Sequence, residues 1–216
     1  LLEINTELAT IVGNNLGLVP QRLPQPITGS IPADGNLDEF HSTKLELPID
    51  KSLAVSQADK LPNDIKARRI AIITADGVND EAFTVLKKNL CEMDAMVNII
   101  APKHGFVTTK SGDKYPVCES LKTTASVVFD AVYIAGGSGI NDLKNNPDAL
   151  HFVAQAFKHC KPVASDADAA ELISAALPNV ELPANGVITD GNFDEFVSAL
   201  KQHRFWEREQ DPKVPA

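Results

Sequence analysis

Lys161-Pro162-Val163-Ala164-Ser165-Asp166-Ala167-Asp168-Ala169-Ala170-Glu171-Leu172 reads as a short buried strand that turns a sharp corner into a helix. In an α/β sheet such a corner is where a nucleophile or a phosphate loop sits. Here its tip carries alanines and acids, with no thiol, hydroxyl or imidazole, and Ser165 lies before the bend on the strand side.

The chain around this corner alternates strand and helix from Arg68 onward. Ile70-Ala71-Ile72-Ile73 is a continuous apolar run, as expected of a strand covered on both faces. Helical spacing follows from Asp80 to Leu90 through Phe83, Leu86 and Leu90. Met96 to Ile100 is the next strand, and residues 105–118 read as a hairpin with its turn at Ser111-Gly112-Asp113. Ala131 to Ala135 is a third buried strand that ends at Gly136-Gly137-Ser138-Gly139. A helix over Pro147–His159 has proline in its first turn. Val163-Ala164 is the fourth strand, followed by a helix over Asp168–Ala176. Gly186 to Thr189 is the fifth strand, and a helix over Asp194–His203 closes the pattern. This order predicts an α/β fold: a doubly wound, mainly parallel sheet in a flavodoxin-like sandwich.

A helix and a long extended linker precede that domain. Leu1, Ile4, Leu8, Ile11, Val12 and Leu16 fall on one helical face, with Gly17 as the C-terminal stop. From Pro20 to Lys66 periodicity vanishes, and prolines at 20, 24, 26, 32, 48 and 62 forbid a central strand or helix. The expected organisation is a helix at 1–19, a proline-rich linker at 20–66, the α/β domain at 67–205 and a tail at 206–216. The start, Leu1-Leu2-Glu3-Ile4, lacks a methionine and is read as part of a longer protein.

The chain has 216 residues, of which 44% are hydrophobic and 23% charged, enough to bury a full core. Its net charge of -9 repels phosphate backbones and makes nucleic acid a poor partner. No apolar run approaches the roughly 20 residues that cross a bilayer, so no membrane partner is expected. A signal peptide is not visible, and a cytoplasmic location is the expectation. Cys91, Cys118 and Cys160 form no C-x-x-C pair and read as small core thiols.

Four strand-end loops are candidates for a site: Thr74 to Glu81, Gly136 to Gly139, Ser165 to Asp168, and Thr189 to Asn192. Asp76, Asp80 and Glu81 crowd the first and Asp166 and Asp168 the third, which disfavours a bound phosphate. These carboxylates are alternatively ligands of a hard cation or solvated acids at helix N-termini. The histidines are dispersed, and His151 with His159 reads as a solvated face.

The order Asp76-Gly77, then Ala131 to Gly137, then Lys161-Pro162-Val163-Ala164, resembles the glutamine-amidotransferase-like superfamily in its intracellular-protease branch. Members use a cysteine at the strand-to-helix elbow, often followed by histidine, with a first-loop glutamate bonded to the thiol. On that pattern the cysteine position falls on Ala167, the histidine on Asp168 and the glutamate near Asn79, while Gly136 and Gly137 match the oxyanion-side glycines. The resemblance therefore implies a scaffold whose catalytic positions are blank.

One group with such an elbow is the C-terminal domain of large-subunit haem catalases. The run Asn5 to Leu18, the proline-rich stretch, Ile72 to Asn79 and the ending Lys201 to Glu209 are similar to that group. The resemblance implies a non-catalytic accessory domain, with no cofactor of its own and haem held by the rest of the parent protein. Its implied partners are its own catalase core and a homo-oligomer. The orphaned apolar helix adds the expectation of holdase-type protection of unfolded client proteins. The alternative is a residual hydrolase or glyoxalase-like enzyme using Cys160 or Ser165; a small-molecule or flavin binder is a third reading.

Overall fold

The computed structural model describes residues 1, 2, 4–20 and 62–210. The stretch 21–61, most of the expected linker, lies outside the described residues, as do 211–216 of the tail. The chain divides into two compact units, Leu1–Val55 and Ser56–Ala216.

Within the first unit, α1 spans Thr6–Leu16. The Asn5 side chain accepts from the Leu8 amide and caps the N-terminus, and Gly17 ends the helix at φ 68°. Ile4, Leu8, Ile11, Leu16, Leu18 and Val19 are exposed.

The second unit is built on six strands: β1 (Arg69–Ile73), β2 (Met96–Ala101), β5 (Glu119–Ser120), β6 (Ala131–Ile134), β7 (Val163–Ser165) and β8 (Val187–Ile188). They pair in the order β5-β2-β1-β6-β7-β8, all parallel. The hairpin between β2 and β5 forms a separate antiparallel pair, β3 (Phe106–Thr108) and β4 (Lys114–Pro116). From β1 the chain winds outward through β2 to β5, then returns to β6 and winds the other way. The switch point therefore lies between β1 and β6.

Both faces of the sheet are covered, which explains the uninterrupted apolar runs. On one face Ile70, Ile72, Ile99 and Tyr133 meet Phe83, Leu86 and Leu90 of α2 (Asp80–Glu92) and Phe196 and Leu200 of α6 (Phe193–Gln202). On the other face Ala71, Ile73, Val132 and Ile134 meet α3 (Ile140–Lys144), α4 (Pro147–Lys158) and α5 (Ala170–Ala176). In α4, Ala149, Phe152, Val153, Ala156 and Phe157 recur at helical spacing on the buried face. Asn146 caps it by accepting from the Asp148 amide at 2.9 Å, and Pro147 fills the first turn.

Three features depart from the sequence reading. A sixth parallel strand, β5, extends the sheet edge; two residues carry no periodicity by which to find it. Helix α3 follows Gly139 directly, whereas the sequence analysis places the next helix only at Pro147. The cysteines are not uniformly buried: Cys160 is, but Cys91 and Cys118 are exposed. Leu86 and Leu90 turn inward from α2 and leave Cys91 on its outer side, while Cys118 precedes the short edge strand.

The start and end of the α/β unit are tied to the sheet. Ile65 is buried in the core. After α6, Trp206–Gln210 forms a short 3₁₀ segment, and Arg208 is buried with its guanidinium 4.5 Å from the Phe157 ring centroid. It donates to the Lys161 carbonyl at 2.6 Å.

Candidate functional site

The loops after β1, β6 and β7 converge at the carboxyl ends of the strands, as doubly wound topology requires. The first loop is laced to its neighbours through Val78, which bridges to Gly137 on one side and to Thr109 of the hairpin on the other. The Asn79 amide donates to the Gly136 carbonyl at 3.0 Å, and Ser138 donates to the Gly77 carbonyl at 3.0 Å. Gly137 adopts φ 143°, and a Cβ there would collide with the Gly77 carbonyl and the Val78 backbone. Hence two glycines after a buried strand allow two loops to touch.

At the elbow, Asp166, Ala167 and Asp168 take separate roles. Ala167 is exposed at the tip, within a 3₁₀ turn (Ala167–Ala169) that leads into α5. Asp166 is half-buried. Its Oδ1 accepts from the Tyr133 hydroxyl at 2.6 Å, and its Oδ2 accepts from the Gly136 amide at 2.7 Å. Asp168 is exposed, and its Oδ2 accepts from Asn79 Nδ2 at 2.9 Å. Lys110 Nζ donates to Asn79 Oδ1 from the hairpin turn. Asn79, Ala167, Asp168, Gly136 and Gly137, the positions that the resemblance singles out, lie together at the strand ends. Tyr133 and Lys110 join them without a signal in the sequence. Their contacts depend on strand register and on hairpin placement, neither of which local spacing reveals.

Burial, followed by the hydrogen bond to Asp166, pushes the Tyr133 phenol far above its ordinary range, so it donates rather than acting as a base. The Asp80 carboxyl is held below its usual value, chiefly by the Ser111 hydroxyl. Among the described residues, no group of three or more histidines, cysteines or carboxylates is close enough to hold a metal ion.

The two alternative nucleophiles lie away from the tip. Cys160 precedes β7, at the opposite end of the strand, and burial raises its thiol. Ser165 ends β7, but its Oγ is fully buried with no hydrogen-bond partner among the described residues. Among the described residues, neither is hydrogen-bonded to an imidazole. The two tyrosines are also engaged: Tyr133 with Asp166, and Tyr115 with Thr84 across 2.9 Å.

Comparison with known proteins decides the family. The C-terminal domain found in long catalases matches residues 66–210. The chain belongs to this family. It is 34% identical over 168 residues to the catalase HPII of Pseudomonas aeruginosa, covering 76% of this chain and 24% of that protein. The catalase HPII of Mycobacterium avium is 31% identical over 216 residues, covering 90% of this chain and 30% of that protein. Catalase-B of Dictyostelium discoideum is 27% identical, covering 100% and 30%. The chain thus spans about a quarter to a third of the length of these relatives. Among solved structures, a ThiJ/PfpI domain protein from Brachyspira murdochii shares the fold with a TM-score of 0.51 at 20% identity, covering 54% of this chain and 68% of that one. The long-catalase C-terminal domain is therefore an α/β sandwich of that type. No helix among its described residues is long and apolar enough to cross a membrane.

Proposed function

We propose that this domain is a non-catalytic accessory module of a long catalase. In this reading peroxide dismutation and the haem belong to the part of the parent protein outside this chain. The module supports assembly and long-term stability of the parent by packing against the catalase core and the homo-oligomer, in the cytoplasm. The observation that carries the reading is the elbow: Ala167 stands exposed where a nucleophile would act, and the flanking acids are spent on Tyr133, Gly136 and Asn79. An alanine methyl has no lone pair with which to attack a carbonyl.

A second role, holdase-type protection of unfolding proteins, is favoured by the exposed apolar positions of the N-terminal unit. Ile4 is 77% and Ile11 53% exposed. Such surface gains about 25 cal/mol per Å² when covered, whether by a native partner or by an unfolded chain.

Heating malate dehydrogenase with and without the 216-residue chain, at equal mass, tests the second role. Suppressed light scattering is expected; unchanged scattering removes the holdase part. Oxygen release from peroxide tests the first, since the chain alone is expected to yield none, and release above buffer would overturn it.

A further inference from the structure

The Asp166 carboxylate is held as a bound ligand would be. One oxygen accepts from a phenol at 2.6 Å and the other from a backbone amide at 2.7 Å. Charge-assisted bonds of this length are the strong ones. The donors come from elsewhere in the chain: Tyr133 from β6 and Gly136 from the loop beyond it. The fourth loop closes over the pair, and Gly191 donates to the Ser165 carbonyl at 3.0 Å. A Cβ on Gly191 would lie at ordinary van der Waals distance, 3.7 Å from Asp166 Oδ1 and 3.9 Å from the Tyr133 oxygen, so this loop lies directly against the pair.

We propose that the Tyr133 hydroxyl and the Gly136 amide form a binding site for a small carboxylate or oxyanion, and that Asp166 occupies it as a built-in ligand. The surrounding charge agrees with an occupied site. Asp168 and Asp190 both bear on Tyr133. A free anion entering the wild-type protein adds a negative charge to three carboxylates already present. An anion replacing the Asp166 side chain leaves that charge unchanged. The native domain therefore rejects small carboxylates here, and a truncated side chain admits them.

Truncating aspartate to alanine removes the equivalent of formate, which makes formate the matched probe. Melting temperatures of wild type, Asp166→Ala and Asp166→Ser are compared in about 100 mM sodium formate and in sodium chloride of equal ionic strength, since a ligand of the native state stabilises by mass action. The Gly136 amide resonance is followed in the same titrations. Asp166→Ala should lose several degrees in chloride, regain at least half of them in formate, and shift its Gly136 amide. Wild type should show neither effect, and adding Tyr133→Phe to Asp166→Ala should remove the rescue. If Asp166→Ala does not fold, Asp166→Ser should show the same pattern with smaller amplitude. Equal formate effects on wild type and variant, no formate-specific gain in the folded variant, or a gain without movement of Gly136 would each overturn the proposal. None of these outcomes depends on client protection or on peroxide chemistry.

Discussion

Gly136 and Gly137 are adjacent, yet they tolerate substitution differently. A Cβ on Gly136 would overlap the Asp168 carboxylate, the end of an exposed side chain that can swing away. A Cβ on Gly137 would meet the Gly77 and Val78 backbone, at a φ of 143° that L-residues avoid. Gly136→Ala should therefore cost about 1 kcal/mol, chiefly the lost Asn79–Asp168 bond, and Gly137→Ala about 3 kcal/mol or more. Urea unfolding of the two variants checks the ranking, and equal losses would contradict it. Lys161 gives a second test at this scale. Its ammonium is buried, donating to the Ser126 and Phe129 carbonyls at 2.6 and 2.7 Å, and burial pushes it down to about 8. The folded state thus releases this proton at lower pH than the unfolded chain does. Stability should rise from pH 8 towards pH 10.5 by an amount on the order of 3 kcal/mol from this group alone. Lys161→Met should flatten that part of the pH profile, even though it takes a donor from the Phe129 carbonyl; the Ser126 carbonyl keeps the Phe129 amide. A profile parallel to wild type would show that Lys161 does not carry it.

At the scale of elements, the end of α6 is clasped to the start of β6. His203 Nε2 and Asp130 Oδ1 lie 2.9 Å apart, the Arg69 amide donates to Asp130 Oδ2 at 2.8 Å, and Arg68 stands 3.9 Å away. Burial works to raise the Asp130 carboxyl, but His203, the Arg69 amide and Arg68 together outweigh it and hold it at about 2. A carboxyl lowered on folding stabilises above its unfolded value and loses that contribution as pH falls. The clasp should thus weaken between pH 4 and 2, by about 1–2 kcal/mol given its partial exposure. His203→Ala should lose stability at pH 7 and show a shallower acid limb; an unchanged limb would contradict the assignment. This clasp also shows where sequence reading stops. The apolar runs of β1, β6 and β7 and the spacing in α2, α4 and α6 are local signals, so those elements were legible. Asp130 and His203 are separated by 73 positions and meet only because of the strand order. The same holds at the elbow: its blank tip is visible at Ala167, whereas the Tyr133–Asp166–Gly136 contact needs the register of β6 against β7.

At the scale of the whole molecule, the doubly wound sheet keeps its loops converged at the switch point between β1 and β6. Packing of α2 and α6 on one face and α3, α4 and α5 on the other positions those loops independently of any reactive group. Leu8 and Ile11 of α1 are exposed, and the proposed holdase role places the client contact there. Leu8→Ser with Ile11→Ser should reduce both client protection and concentration-dependent self-association several-fold while leaving the melting temperature of the α/β unit within a few degrees. Sedimentation velocity with calorimetry checks this, and undiminished association would place the contact elsewhere. The central claim is that the elbow holds no working nucleophile. Its most direct test is turnover of p-nitrophenyl acetate and methylglyoxal by the wild-type chain beside Ser165→Ala and Cys160→Ala. Rates equal to the buffer background in all three are predicted, whereas wild-type turnover abolished by either substitution would contradict the account.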